Sequence, residues 1–476
     1  MISGISGISG ISSRFDTISP LDSRFYGGDP GLYSALHPYL SEEGRVRAQA
    51  KAEAALARAL AEEGLAPQSA ADAIAAAAER IGAAEVYAEE ARIGHDVRAL
   101  VNRIRAQLSE DARRFVHLGA TSMDIVDTAN AWRYRECVER VVAPRLGVLV
   151  ARLIALAEGE AETAQAGRTH GQHAVPITFG FAIAEYVSRL GGRILLLQTA
   201  ARALPGKLSG AVGAYNAPAL LSTDARALER RYLAQLGLKP ASHATQIVEP
   251  EGWSDLAHAC TTALGVMANL ADDLRQLQRT EIAEIAEGFS EQQVGSSTMP
   301  QKRNPVSFEN VKSIWKAYVP RVLTTYLDQI SEHQRDLTNS ASQRFSGEIL
   351  AATAYAATRL ASSLDGMRID RDRMRANMGM SRGGIIAEAL YVLLAKHGHA
   401  DAHEAVRRLT LEAERSGKSA LELAALDDEL KPFLAALSPE ERRVLDQPDE
   451  YRGLSTEVAR EVAALWRAKL HGILPE

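Results

Sequence analysis

From Trp253 to Leu277 the chain reads WSDLAHACTTALGVMANLADDLRQL, and Leu256, Cys260, Ala263, Met267, Leu270, Leu274 and Leu277 recur within it at alternating steps of four and three. Residues three and four apart share a helix face, so this alternation draws one apolar stripe along the whole segment. A stripe of that length exceeds what a helix resting on a small core needs. It predicts long helices packed side by side, and on the seam alone association within the chain and between copies of it are equal readings.

The surrounding text is of the same kind. Hydrophobic residues make up 46% of the 476 and aromatics only 5%, with long alanine-rich stretches that favour helix over sheet. An all-α protein is expected, and a chain of this length calls for two or three domains. The stretch SEEGRVRAQAKAEAALARALAEEG, Ser41 to Gly64, is an amphipathic helix with acidic residues at its start and a glycine stop. Shorter helical patterns follow to about Val116, then longer ones up to the break at Asp365-Gly366, then short ones punctuated by Gly383-Gly384 and Gly398. The predicted organisation is an N-terminal helical domain (1–117), a central long-helix bundle (118–365) and a smaller C-terminal helical domain (366–476).

Several function classes fall away on composition. The net charge of −6 is mild and basic residues alternate with acidic ones, which argues against a nucleic-acid partner. Cys137 and Cys260 stand far apart, giving neither a disulfide framework nor a zinc set, and a reducing compartment fits. His397, His399 and His403 lack acidic or thiol partners at a metal-binding spacing and are expected at the surface. No apolar run nears the roughly 20 residues that span a bilayer, so no membrane partner and a cytoplasmic location are expected. The opening MISGISGISGISSRF repeats Ile-Ser-Gly, lacks the features of a signal peptide and is expected to be a flexible lead-in.

Chemistry concentrates in a few polar segments. Gly295 to Pro305, GSSTMPQKRNP, sets two hydroxyls behind a glycine and adds Lys302 and Asn304, a combination suited to a developing oxyanion. Arg168 to Pro176, RTHGQHAVP, puts His170 and His173 among turn residues, where an imidazole can serve as acid or base. His117 to Thr128, HLGATSMDIVDT, brings His117, Thr121 and Ser122 to the front of a helical pattern beginning near Ala129, and free N–H groups there suit a carboxylate. Gly94-His95-Asp96 is a polar insertion in apolar text. Glu332 to Arg344, EHQRDLTNSASQR, gathers Arg335, Ser340 and Arg344 with further small polar residues, a set suited to phosphate.

GSSTMPQKRNP, RTHGQHAVP and ATSMDIVDTA together resemble the three signature regions of the fumarase/aspartase superfamily, and the likeness spans nearly the whole chain. The resemblance implies a homotetramer with a central bundle of long helices, active sites shared between subunits, and elimination of fumarate from a succinyl-bearing substrate without a metal or redox cofactor. SPLDSRF, GHDV, Ala244-Thr245-Gln246, GAVGAYN and QRDLTNSASQR further resemble the branch that acts on succinyl-purine ribonucleotides.

Carried over on matching positions, the resemblance makes Ser296 the general base and His170 the general acid, with Glu309 orienting His170. Lys302 and Asn304 would hold substrate, and Thr121, Ser122 and Gln246 its succinyl part. Gly94, His95, Asp96 and His117 would line the nucleotide side. Arg24, Phe25, Arg335, Ser340 and Arg344 would surround the phosphate, with Asn310 close by. Phe25 stands where a tyrosine is usual, Met123 where a small polar residue is common, and Gln301 where this branch often has histidine. Within the superfamily the competing readings are argininosuccinate lyase and carboxymuconate cycloisomerase; outside it, a catalytically silent helical scaffold.

Overall fold

A computed structural model of the chain describes residues 17–289, 292–381 and 383–474, so the Ile-Ser-Gly lead-in lies outside the described residues. Helices dominate, as the composition predicts. The described strands form two antiparallel pairs, Ala164–Thr169 with Gln172–Thr178 and Ile285–Ala286 with Arg368–Ile369.

The seam lies on the helix Glu251–Leu277. From Leu256 to Leu274 each of its residues is at most 1% exposed within the single chain, so this stripe packs inside the chain and does not speak for contacts between copies. The predicted helix after Ser41 runs Glu42–Glu62, with the Ser41 hydroxyl accepting from Gly44 N at 2.9 Å and Glu42 and Glu43 in its first turn.

A second long helical run starts at Ser122, seven residues ahead of the expected start near Ala129, and continues as Ser122–Cys137, a π turn Val138–Val142 and Ala143–Gly159. Pro144 explains the π turn: it has no N–H to give to the preceding turn, and the Ala143 amide reaches back to Val138 O instead.

The described residues group into two compact units, one drawn from those within 1–146, 192–265 and 313–358, the other from those within 147–191, 266–312 and 359–476. In the first, the helix Glu42–Glu62 buries an alanine-rich face that includes Ala52, Leu56, Ala59 and Leu60. In the second, Leu390, Leu394, Val406 and Leu409 form a core that also takes in Ala166 of the strand pair. No single helix among the described residues is long and apolar enough to cross a membrane.

Candidate active site

RTHGQHAVP, read from the sequence as a run of turn residues, forms the end of a β-hairpin. Thr169 pairs with Gln172, so His170-Gly171 is a two-residue connection, and both residues are left-handed, with φ of 55° and 72°. Left-handed backbone at both central positions is the type I′ arrangement that matches strand twist. Glycine meets it freely, but a histidine there is strained, and strain of that kind concentrates at functional positions. His170 is exposed at the tip, and no hydrogen bond joins it to Ser296 or Glu309 among the described residues. Burial and the Arg168 guanidinium together hold the His173 imidazole below its usual range.

The GSSTMPQKRNP loop, in the same unit as the hairpin, is built around a serine oxygen. Ser296 Oγ accepts from Met299 N at 3.0 Å and Thr298 N at 3.3 Å, and Asn304 Nδ2 donates to Gly295 O at 3.0 Å. Two amides aimed at one hydroxyl oxygen stabilise negative charge on it. Asn304, expected to hold substrate, gives one of its amide hydrogens to the loop itself.

The loop's ends are fixed. The Glu287 carboxylate accepts from Ser307 N at 3.0 Å and caps the helix Val306–Tyr318, while Gln278 bonds both Glu287 N, at 2.8 Å, and Arg303 O, at 3.3 Å. Lys302 is exposed on the loop; Glu309 and Asn310 lie in the first turns of that helix, Glu309 exposed and Asn310 half-buried.

A Cβ built on Gly295 would come within 2.0 Å of Lys302 O, so only glycine permits this closed turn. In Gly295→Ala, hydrogen exchange across 292–305 is expected to rise about tenfold, because the chain must give up one or two loop hydrogen bonds. Exchange in the helix Val306–Tyr318 should stay at the parent rate; an unchanged loop rate would refute the packing argument.

The remaining candidates belong to the first unit. Thr121 caps and Ser122 opens the helix Ser122–Cys137, as an anion-receiving helix start requires. Its shape depends on a buried pair the sequence reading passed over. Lys207 Nζ reaches Asp124 Oδ1 at 2.5 Å with both side chains fully buried, and Asp124 also accepts from Thr121 N at 2.8 Å and Ser209 N at 3.1 Å. His117, at φ 63°, has Nδ1 2.6 Å from buried Glu53; burial opposes its charge, but the carboxylate prevails and raises its pKa.

Gln246 N donates to Gln334 O at 3.1 Å, which joins its turn to the arginine-rich segment, and Val248 N donates to Asp127 at 2.9 Å. Burial pushes the Asp127 carboxyl up to about 6. Residues 328–346 carry no long helix: the Asp328 carbonyl accepts from Arg335 at 2.9 Å and from Asn339 at 2.7 Å, and Arg335 itself sits at φ 109°. Arg335 faces a cavity with Asp127, Tyr134 and Trp253, and Ser340 is exposed nearby in sequence. Arg344 lies 3.9 Å from both Asp96 and Glu42, and His95 caps the helix Asp96–Ala106 after left-handed Gly94, so the nucleotide-side and phosphate-side candidates do meet.

Arg24 is exposed. Phe25 packs on Tyr355 at 5.3 Å, and the neighbouring Tyr26 hydroxyl is tied to Asp22, so it does not replace the hydroxyl that Phe25 lacks. Of the three C-terminal histidines, His403 is exposed as expected. His399 is not a surface residue: its side chain is 6% exposed, with the ring against Phe433, while His397 bonds Glu441 at 2.9 Å.

Comparisons with known proteins bear on the whole arrangement. A lyase family model matches residues 24–317, and one for the adenylosuccinate lyase C-terminal region matches residues 331–442. The adenylosuccinate lyase of Pyrococcus horikoshii is 35% identical over 451 residues, covering 94% of this chain and 97% of that one. The adenylosuccinate lyase of Pyrococcus abyssi is 34% identical with the same coverage. Among solved structures, the 3-carboxy-cis,cis-muconate lactonizing enzyme of Pseudomonas putida aligns with a TM-score of 0.80 at 27% identity, over 92% of this chain and 97% of that one.

Proposed function

The chain belongs to the adenylosuccinate lyase family of the fumarase/aspartase superfamily, and from that premise we propose that it eliminates fumarate from adenylosuccinate, leaving AMP, with Ser296 as general base and His170 as general acid. The succinylated aminoimidazole carboxamide ribonucleotide of purine synthesis is the second substrate. The observation that carries the assignment of the base is the pair of amides, Thr298 N and Met299 N, directed at Ser296 Oγ.

A serine hydroxyl becomes a useful base only as an alkoxide, and that pair supplies the stabilisation an alkoxide needs. Ser296 takes the proton from the carbon beside a substrate carboxylate, and the electron pair enters that carboxylate as an aci-carboxylate with two negative charges. General base help alone gives about 10² to 10⁴ in rate, so donors on the intermediate must supply the rest, each on the order of 10² to 10³. Lys302 and the loop amides fill that part. The pair then returns to form the carbon–carbon double bond, the carbon–nitrogen bond breaks, and His170 protonates the departing nitrogen. Glu309 orients the imidazole.

Thr121, Ser122 and Gln246 hold the succinyl part. His95, Asp96, His117, Arg24, Arg335, Ser340 and Arg344 serve the nucleotide and its phosphate. The reading includes the homotetramer that the family resemblance implies, in which neighbouring subunits complete each site. Two buried, unpaired thiols support a reducing cytoplasm.

The test mixes purified protein with adenylosuccinate and follows the purine absorbance. Turnover is expected from the parent chain and about 10²-fold less from His170→Asn, since asparagine tolerates the left-handed turn and removes only the acid. Turnover of argininosuccinate with none of adenylosuccinate would overturn the reading.

A further inference from the structure

We infer that Glu284 is a positioning residue that holds the His170 hairpin and the stem of the Ser296 loop to one point; the link to catalysis rests on the proposed roles of those two residues. Its carboxylate is fully buried and accepts from Arg168 at 2.5 and 3.2 Å, Gln165 at 2.7 Å and Asn377 at 2.9 Å. Two of the three side chains belong to the hairpin, and Arg168 stands two residues before the turn.

The sequence has made a specific concession to this contact. In a regular strand Gln165 and Arg168, three apart, would point to opposite faces. The hairpin register breaks between Ala166 and Arg168, where Gly167 faces two residues of the second strand, Ala174 and Val175, and across this irregularity Gln165 and Arg168 both reach one acceptor. A Cβ on Gly167 would lie 2.5 Å from Val175 O, so the bulge demands glycine.

On the other side, Glu284 is the anchored end of the loop's stem. Ala283, before it, is left-handed at φ 52°, and the Glu284 backbone bonds Leu277 O at 3.0 Å and Asp370 N at 2.9 Å. The strand Ile285–Ala286 follows at once, then Glu287, whose carboxylate caps the helix on the loop's far side. Asn377 adds a second bond, to Ile282 O at 2.8 Å. A displacement at Glu284 therefore reaches the acid-bearing turn through two residues of strand, and through Ile285, Ala286 and Glu287 it reaches the helix start at Ser307 that closes the far end of the base-bearing loop.

A buried ion pair can also exist as structure alone, and a lone guanidinium left behind is itself destabilising. The experiment separates the two. In Glu284→Gln, kcat on adenylosuccinate is expected to fall ten- to a hundredfold with KM within threefold, and hydrogen exchange should quicken in both 164–178 and 292–305. Adding Arg168→Gln removes the orphan cation, so unfolding stability should recover while kcat stays low, since two amides do not reproduce the bidentate clamp. A kcat within threefold of the parent in Glu284→Gln, or kcat recovering together with stability in the double variant, overturns the inference. If the parent chain does not act on adenylosuccinate at all, the proposed function fails instead, and the exchange arm still decides: loosening of both segments upholds the link through Glu284, and loosening of neither or only one removes it.

Discussion

Ser296→Ala is expected to lower adenylosuccinate turnover by roughly 10³-fold or more, with KM changed little, because it deletes the base and leaves the Thr298 and Met299 amides aimed at nothing. The loss should exceed that of His170→Asn. A departing nitrogen can collect a proton from water at some cost in rate, whereas no other group is bonded to those two amides to take the proton from carbon. Ser297 is exposed and serves as the control: Ser297→Ala should remain within about tenfold of the parent. Single-turnover absorbance measurements check both. A Ser296→Ala protein with more than a tenth of the parent rate would remove the serine from the mechanism.

The second large effect is on stability. Lys207→Met should cost about 3 kcal/mol of unfolding free energy, read as a lower urea midpoint, since it strands a fully buried Asp124 carboxylate. The lower end of the usual 3 to 5 kcal/mol applies because Thr121, Ser209 and Gly210 amides still solvate the carboxylate. The double replacement Asp124→Leu with Lys207→Met should recover part of that loss in the interior, but it removes the bond to Thr121 N, so KM should rise. Equal stability of Lys207→Met and the parent would show that the pair is not held as described.

The helical architecture was legible because its signal is periodic and local: seven residues of the seam share one face whatever surrounds them. The base-bearing loop was legible too, as its glycine, hydroxyls and cation sit within eleven consecutive residues. The hairpin was not. Its strands contain Ala164, Gln165, Gly167 and Arg168, which have little strand preference, and its turn is His-Gly where Asn-Gly or Asp-Gly would have advertised it.

The buried charges were hidden for a different reason. Asp124 and Lys207 are 83 residues apart and Arg168 and Glu284 116 apart, so neither partner's burial can be read from its own neighbourhood. Only the acidic spacing Glu281, Glu284, Glu287 ahead of the loop offered a hint, and a solvated helix face would look the same.

Every passage between the two compact units falls inside a helix, at 146/147, 191/192, 265/266, 312/313 and 358/359, and each unit is assembled from three separate stretches. Neither can be expressed as a continuous fragment. During synthesis the first unit lacks its last stretch until Thr358 has left the ribosome, so an apolar side chain such as Phe25 waits for its partner Tyr355 through most of translation. The nascent chain, more than the finished protein, is where this architecture needs protection from aggregation.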